Sequence, residues 1–216
     1  MTEQAKTNSK IEARHAEVLG QPPRIAPLDR AVMAEQVQAD TDSLIGRIAG
    51  RASGRPTLPL DAIPEIMFTL CRYPDLWQSL MDITVQLQGP NSVLPPRDRK
   101  LAILRTGWLC QAPYEFGEHL AQAKRLGFAT QELERVATGS AAREWSDHER
   151  AILRAVEELH EGAMVSDETW NALAKTFDDQ QMFELLVLVG QFTATAYFQN
   201  GIRLRLEANN RGLEIS

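Results

Sequence analysis

The chain has few of the residues from which redox and metal centres are built. It contains two cysteines, Cys71 and Cys110, and no C-x-x-C pair, so no thioredoxin-like redox pair or cysteine zinc site is encoded locally. Its four histidines include no pair at metal-ligand spacing. We therefore expect two reduced, buried thiols and no metal.

Other absences narrow the function further. There is no glycine-rich phosphate loop, no nucleophile elbow and no apolar run long enough to cross a bilayer. Residues 1–18 are polar and lack the apolar middle of a signal peptide, so we expect a cytoplasmic protein without a membrane partner. The net charge of −6 disfavours nonspecific nucleic-acid binding. Local arginines (Arg97, Arg99 and Arg105) still allow an anionic small-molecule substrate.

No segment alternates in the manner of a strand, whereas helical periodicity and helix caps recur along most of the chain. The sequence predicts an all-α bundle of roughly eight helices, either one domain or two small subdomains sharing a core. We expect residues 1–60 to be an N-terminal arm with one helix and Pro/Gly-rich loops, and residues 61–216 to be the helical domain. The predicted helices span residues 31–48, 63–71, 75–88, 97–111, 113–127, 131–138, 147–161, a short one from 167, and 181–200.

Two helices of this domain echo each other. The segments Asp98–Arg105 and Asp147–Arg154 both begin with Asp and end in Ala-Ile-Leu-Arg, in the same register. A chance match between two leucine-rich helices is the alternative. We interpret the echo as a duplicated helical unit.

The strongest candidate for chemistry is Glu115, four residues before His119. On a helix this spacing places both groups on one face, a turn apart. A carboxylate that orients an imidazole is a common way to build a general acid or base near neutral pH. The alternative is a boundary histidine that simply hydrogen-bonds Glu115 for structural reasons. In both cases the sequence predicts a hydrogen bond between the two side chains.

Four neighbouring residues could bind a substrate. Arg105 lies beside the apolar stripe of its helix, where it either clamps a substrate anion or packs its stem and pairs its head. Tyr114 offers a hydroxyl donor or simply packs as an aromatic residue. Trp108 and Phe116 would form apolar walls of a pocket around His119.

These residues resemble a known family. The run from Pro95 to Arg105, followed by Tyr114-Glu-Phe-Gly-Glu-His119, Ala123 and Gly127, is similar to the carboxymuconolactone decarboxylase family, whose superfamily includes the AhpD-like alkylhydroperoxidases. The resemblance covers roughly residues 60–200. It implies an all-α fold with a helical repeat and assembly into trimers or hexamers. It also implies a cofactor-free acid–base site, with His119 as proton donor, Glu115 as its partner and Arg105 as an anion contact.

The chain departs from the family pattern at three positions. Aligned on His119, the cysteines of the AhpD Cys-x-x-Cys-x-x-x-His centre are replaced by Ala112 and Glu115, so we expect no AhpD-type thiol peroxidase activity. Lys100 stands where many members carry an acid, which removes an expected proton-relay carboxylate. Two hypotheses remain. The first is a lyase-like acid–base enzyme acting on a small unsaturated carboxylate or lactone by decarboxylation, isomerisation or hydration. The second is a noncatalytic helical oligomer or small-molecule binding protein.

Overall fold

A computed structural model describes residues 3–33 and 63–215, and these residues fold almost entirely as α-helices. The all-α prediction is confirmed. Most of the predicted helix starts and ends in the second part agree with the structure to within two residues. The helices are α1 (Glu3–Val18), α2 (Glu65–Leu70), α3 (Pro74–Gln88), α4 (Pro96–Leu109), α5 (Pro113–Arg125), α6 (Thr130–Thr138), α7 (Asp147–Gly162), α8 (Asp167–Leu173) and α9 (Asp179–Ile202), with a 3₁₀ turn at Gly139–Ala141.

Local capping chemistry explains why the helices begin where they do. The Ser146 side chain accepts from the Glu149 N–H at the start of α7, and Asp178 accepts from the Gln181 N–H at the start of α9. Proline opens α3, α4 and α5, where its missing N–H costs no hydrogen bond. Gly127 follows α5 with φ +89°, a conformation that glycine adopts without strain.

Two helices differ from the predictions. Residues 3–18 form a helix instead of an extended arm, because good helix formers without glycine or proline sustain it despite its weak apolar periodicity. Helix α6 begins one residue earlier than predicted, because Glu132 accepts from the Ala129 N–H at 2.7 Å and makes Ala129 the cap. The predicted helix over residues 31–48 lies outside the described residues except for residues 31–33, which are helical. The division into an arm and a helical domain remains a prediction.

Helix α4 lies at the centre of the fold and is buried on all sides. It contacts α5, α6, α7 and α9, and ten of its 14 residues are buried. One apolar cluster forms between α4, α7 and α9, and a second between α4, α5 and α6. Because α4 has no solvent-facing stripe, its charged side chains are drawn into the interior. Three of them are buried there: Asp98, Lys100 and Arg105.

The two echoing segments form the start of α4 and the start of α7, which pack against each other. Asp98 on α4 accepts from His148 on α7 at 2.9 Å, and Arg97 pairs with Glu149 at 3.0 Å. The two copies of the repeated sequence are therefore tied together at their N-terminal ends.

Distant parts of the chain meet around the turn that precedes α5 and around α5 itself. From α1, Arg14 donates to the Gln111 carbonyl at 2.9 Å, and Gln111 has a left-handed backbone with φ 48°. From the C-terminal segment, Asn210 donates to the Tyr114 carbonyl at 2.9 Å. The Leu213 N–H donates to the His15 ring at 3.1 Å and joins the two segments. The helix that carries Glu115 and His119 is thus fixed from both sides.

In the described part of the chain, no helix is long and apolar enough to cross a membrane. Residues 3–33 and 63–215 also contain no group of three or more histidine, cysteine or acidic side chains placed to hold a metal ion.

Candidate functional site

The site centres on Lys100, a residue that the sequence pattern suggested only as a lost acid. Its side chain extends from α4 toward α5 and is 6% exposed. The Lys100 Nζ atom lies 2.6 Å from His119 Nδ1 and 2.7 Å from Gln122 Oε1, both on α5. The lysine therefore occupies the position from which the family acid would act and makes direct contact with the predicted proton donor.

His119 is buried between α5 and α9. Its ring meets the ring of Phe192 edge-on, with centroids 5.2 Å apart. Burial and the nearby Lys100 charge hold the pKa of His119 well below its usual value, so the imidazole is neutral at neutral pH. In the tautomer in which Nδ1 accepts from Lys100, the ring proton resides on Nε2.

Glu115 is the most unusual group in the site. It is 2% exposed, and neither carboxylate oxygen has a hydrogen-bond partner among the described residues. Burial raises its pKa well above the usual value, and the Lys100 charge only partly opposes this. The predicted hydrogen bond between Glu115 and His119 is wrong, because Lys100 takes the His119 Nδ1 position. The prediction that the two residues share one face of a buried helix is correct.

Together the three side chains form a buried acid–base cluster with little fixed charge. Burial is the main cause that lowers the pKa of Lys100 to about 7, and the charges of Arg99 and Arg125 lower it further. Glu115 acts in the opposite direction by attracting the ammonium form. With a pKa of about 7, the amine is present in both its neutral and its ammonium form near neutral pH, whereas the carboxyl favours its protonated form.

Arg105 is buried as the sequence suggested, but its guanidinium group is already engaged. It pairs with Glu157 at 2.8 Å and donates to the carbonyls of Val136 and Ala137 at 2.8 and 2.9 Å. These contacts fit the alternative in which the arginine head is paired for structural reasons. A role for Arg105 as an anion contact stays a prediction.

The remaining three predicted residues lie together with groups other than His119. The Tyr114 hydroxyl donates to Glu207 at 2.8 Å. Trp108 and Phe116 pack on each other, with ring centroids 5.4 Å apart, in the cluster between α4, α5 and α6. Neither of the two cavities outlined in the described residues borders His119. The predicted pocket with aromatic walls therefore stays a prediction.

Sequence reasoning missed Lys100, Gln122 and Phe192. The sequence carries a signal for Lys100, since this residue directly precedes the apolar run 101–104. In the structure the positions that follow it are buried on every side of α4. A lysine in such a helix must either turn outward or find buried partners. Gln122 lies one turn after His119 on α5, so the i, i+3 spacing would have placed it beside the imidazole. Phe192 had no local signal, because it depends on how α9 packs.

A comparison with known protein families matches the part of the chain that carries this cluster. Residues 72–158, which include Lys100, Glu115 and His119, match the sequence profile of the carboxymuconolactone decarboxylase family. The family match and the solved structures below support a place for this chain in the carboxymuconolactone decarboxylase and AhpD-like superfamily. No curated protein matches the sequence.

Several solved structures share the fold of this chain. One is the AhpD core of an uncharacterized peroxidase-related protein from Ralstonia eutropha, with 16% identity and a TM-score of 0.68 over 87% of this chain and 94% of that one. A second peroxidase-related protein, from Silicibacter, has 14% identity and a TM-score of 0.66 over 90% and 93%. A third is a cysteine-to-alanine variant of the debrominase Bmp8 in complex with 2,3,4-tribromopyrrole, with 14% identity and a TM-score of 0.64 over 87% and 93%.

The thiols of this chain are poorly suited to redox chemistry. Burial raises the pKa of both Cys71 and Cys110 to about 11, so little thiolate exists at neutral pH. They also belong to separate apolar clusters. The nearest polar ring to Cys110 is that of His160, whose Nδ1 lies 3.9 Å from the sulfur.

Proposed function

We propose that the protein is a cytoplasmic, cofactor-independent acid–base enzyme that acts on a small unsaturated carboxylate or lactone, by decarboxylation or a related isomerisation or hydration. The observation that supports this proposal is the contact between Lys100 and His119, buried beside an unpartnered Glu115. His119 is the proton donor, and Glu115 and Lys100 set its protonation state.

The cluster is costly for the fold, which argues for a role beyond stability. A buried polar group without a hydrogen-bond partner costs about 1–3 kcal/mol, and Glu115 has two such oxygens. Burial of Lys100 adds a further cost. Apolar side chains of similar volume would fill this space without these costs, and groups with shifted pKa values concentrate at functional sites.

The proposed proton transfer runs through the imidazole. His119 gives its Nε2 proton to an enolate-like carbon of the substrate, and Lys100 supplies a proton to Nδ1 at the same time. The 2.6 Å separation of Nζ and Nδ1 suits this second transfer without any rearrangement. Glu115 makes no hydrogen bond to Lys100, so it acts on the amine through its charge, which favours the ammonium form that supplies this proton.

Local charge supports an anionic substrate although the whole chain is acidic. The positive charges of Arg99 and Arg125 act on Lys100, so the potential around the amine is positive. Gln122 is half-buried at the edge of the cluster and holds the amine at 2.7 Å. We therefore propose that the substrate approaches past Gln122. The Bmp8 complex shows that a related fold accommodates a small ring compound.

A substrate screen with matched variants tests the proposal. Unsaturated lactones and oxo acids would be screened by carbon dioxide release and by absorbance. On any substrate found, His119→Asn should lower kcat by about 10²–10⁴-fold, because proton transfer by a positioned side chain is worth that much. Glu115→Gln should act in the same direction but more weakly, and Glu161→Gln, exposed at the end of α7, should leave kcat unchanged.

The alternative is a noncatalytic binding protein on the same scaffold, and one observation favours it. Lys100, Glu115 and His119 are all buried, so the cluster is closed to solvent in this conformation. Thermal melts recorded beside the kinetics separate the two functions. If no compound is turned over and both His119→Asn and Glu115→Gln melt many degrees lower, the cluster is structural and the binding function replaces the enzyme.

We also propose a homo-oligomer, with a trimer or hexamer favoured by the family resemblance. Helix α9 carries a row of exposed positions at helical spacing on one face. Its large apolar members are Phe183, Val187 and Tyr197, which are 68%, 37% and 67% exposed. A second copy of the chain would remove this apolar row from water.

A further inference from the structure

Resting on the proposed function, we infer that Lys100 is a nucleophile: its amine condenses with the ketone of a 3-oxo acid to form an imine, through which the substrate loses carbon dioxide. This assigns a covalent role to the residue that replaces the family acid. It also narrows the substrate class, because an amine that attacked a lactone would form an amide and open the ring without returning to free lysine.

The hydrogen bonds of Lys100 leave its reactive electron pair available. The amine contacts two groups, His119 Nδ1 at 2.6 Å and Gln122 Oε1 at 2.7 Å. The Gln122 oxygen accepts, and Nδ1 accepts as well in the tautomer that carries its proton on Nε2. In this tautomer both N–H groups of a neutral amine are used, and its lone pair points away from both partners. Glu115 provides no competing hydrogen bond, since its oxygens have no partner among the described residues.

The surroundings of the amine make its neutral form abundant near neutral pH. It is 6% exposed, and the lysine has a pKa of about 7 because burial and the charges of Arg99 and Arg125 disfavour the ammonium form. Glu115 is the only group acting on Lys100 in the opposite direction within the described residues. A desolvated lysine next to other cationic groups is the arrangement that activates an amine as a nucleophile.

The reaction balances without any oxidant or reductant. The Lys100 nitrogen forms a bond to the ketone carbon, the carbonyl oxygen takes up a proton, and the nitrogen loses one. The resulting hydroxyl leaves as water with a second proton, which gives a protonated imine. The bond to the carboxylate carbon then breaks, carbon dioxide departs, and its electron pair passes to the imine to form an enamine. A proton added to the enamine carbon and hydrolysis of the imine release the ketone and the free amine.

The neighbouring groups have positions suited to these proton transfers. Glu115, which favours its protonated form, supplies the proton that leaves with water and recovers it during hydrolysis. His119 gives a proton to the enamine carbon and takes one back from solvent. Gln122 is half-buried and holds the amine from the outer side, so its displacement admits the substrate carbonyl.

Borohydride trapping tests the inference without requiring turnover. The full-length protein would be incubated with acetoacetate at pH 7 and reduced with sodium borohydride, and the modified lysine identified by peptide mass spectrometry. The neutral amine is about a thousand times more populated at pH 7 in a lysine of pKa about 7 than in a model peptide. Burial and lower basicity offset part of this, so we expect the reduced adduct on Lys100 to form at least about tenfold faster than on the exposed Lys124 or Lys175.

Three variants serve as controls for the trapping experiment. Lys100→Met should abolish the fast adduct, and Lys124→Met should leave it unchanged. Gln122→Ala, which opens the outer side of the amine, should increase the rate of trapping at Lys100. Equal labelling of all lysines, or a fast adduct that persists in Lys100→Met, overturns the inference.

The outcomes also separate the inference from the proposed function. A substrate that is decarboxylated without a trappable adduct on Lys100 refutes the imine and leaves the acid–base function standing. Fast trapping at Lys100 in a protein that turns over no compound supports the nucleophile and refutes the enzymatic function.

Discussion

Replacing Lys100 by methionine should stabilise the fold near neutral pH, and the gain should disappear as the pH rises. The lysine has a folded-state pKa of about 7, against 10.5 for the unperturbed group. A lowered pKa means that the unfolded chain binds more protons between these two values. The wild-type free energy of unfolding therefore rises with pH across this window, by up to about 1.4 kcal/mol per pH unit. Methionine has similar length and no titration, so the variant lacks this slope.

The magnitude follows from the shift and from the hydrogen bonds that are lost. A shift of this size costs the folded protein about 5 kcal/mol well below pH 7, about 4 kcal/mol at pH 7.5 and about 2 kcal/mol at pH 9. The variant also loses the bonds to His119 and Gln122, at about 1 kcal/mol each. We expect Lys100→Met to be more stable by about 2 kcal/mol at pH 7.5 and equal to wild type at pH 9.

Urea unfolding at several pH values between 7 and 9.5 measures this difference. The same comparison would be repeated in a Glu115→Gln background, in which the Glu115 carboxyl no longer titrates. Lys124→Met, at an exposed position, should change stability by less than about 0.5 kcal/mol at every pH. A stability difference for Lys100→Met that does not vary with pH would refute the reasoning, because it would mean that the amine titrates as it does in water.

Three further outcomes follow from the structure. With an alkyl hydroperoxide and a dithiol reductant the protein should show no turnover, and turnover that is lost in Cys110→Ser would contradict this. Light scattering at micromolar concentration should give an oligomer mass, and Phe183→Lys with Tyr197→Lys should shift it toward the monomer; a wild-type monomer would remove the proposed interface. Arg105→Leu should destabilise the fold by about 3–5 kcal/mol in thermal or urea unfolding, because it removes the buried cation that pairs with Glu157 and donates to two carbonyls. A loss of substrate binding without a loss of stability would favour the predicted anion contact.

Local signals in the sequence were sufficient for much of the fold. The capping residues Ser146 and Asp178 act on backbone groups three residues away, so their effect is visible in the sequence. Helix α1 was missed because its stability comes from residue propensities and distant contacts, such as that of Arg14, and not from an apolar stripe. Periodicity is a weak guide to a helix of this kind.

The candidate site was only half predictable for a related reason. The shared face of Glu115 and His119 follows from helical spacing alone. The partner of His119 depends on α4 being surrounded on all sides, which results from the packing of α7 and α9 against it. For that reason the sequence indicated a hydrogen bond between His119 and Glu115, whereas in the structure the imidazole contacts Lys100.

The meeting of distant segments around α5 has a consequence for how the site responds to sequence changes elsewhere. The contacts of Asn210 with Tyr114 and of Leu213 with His15 hold α5 through two segments that are far from it in the sequence. A substitution in either segment therefore acts on the helix that carries Glu115 and His119. The position of the imidazole, which also packs against Phe192 on α9, is a property of the whole fold and not of its own helix alone.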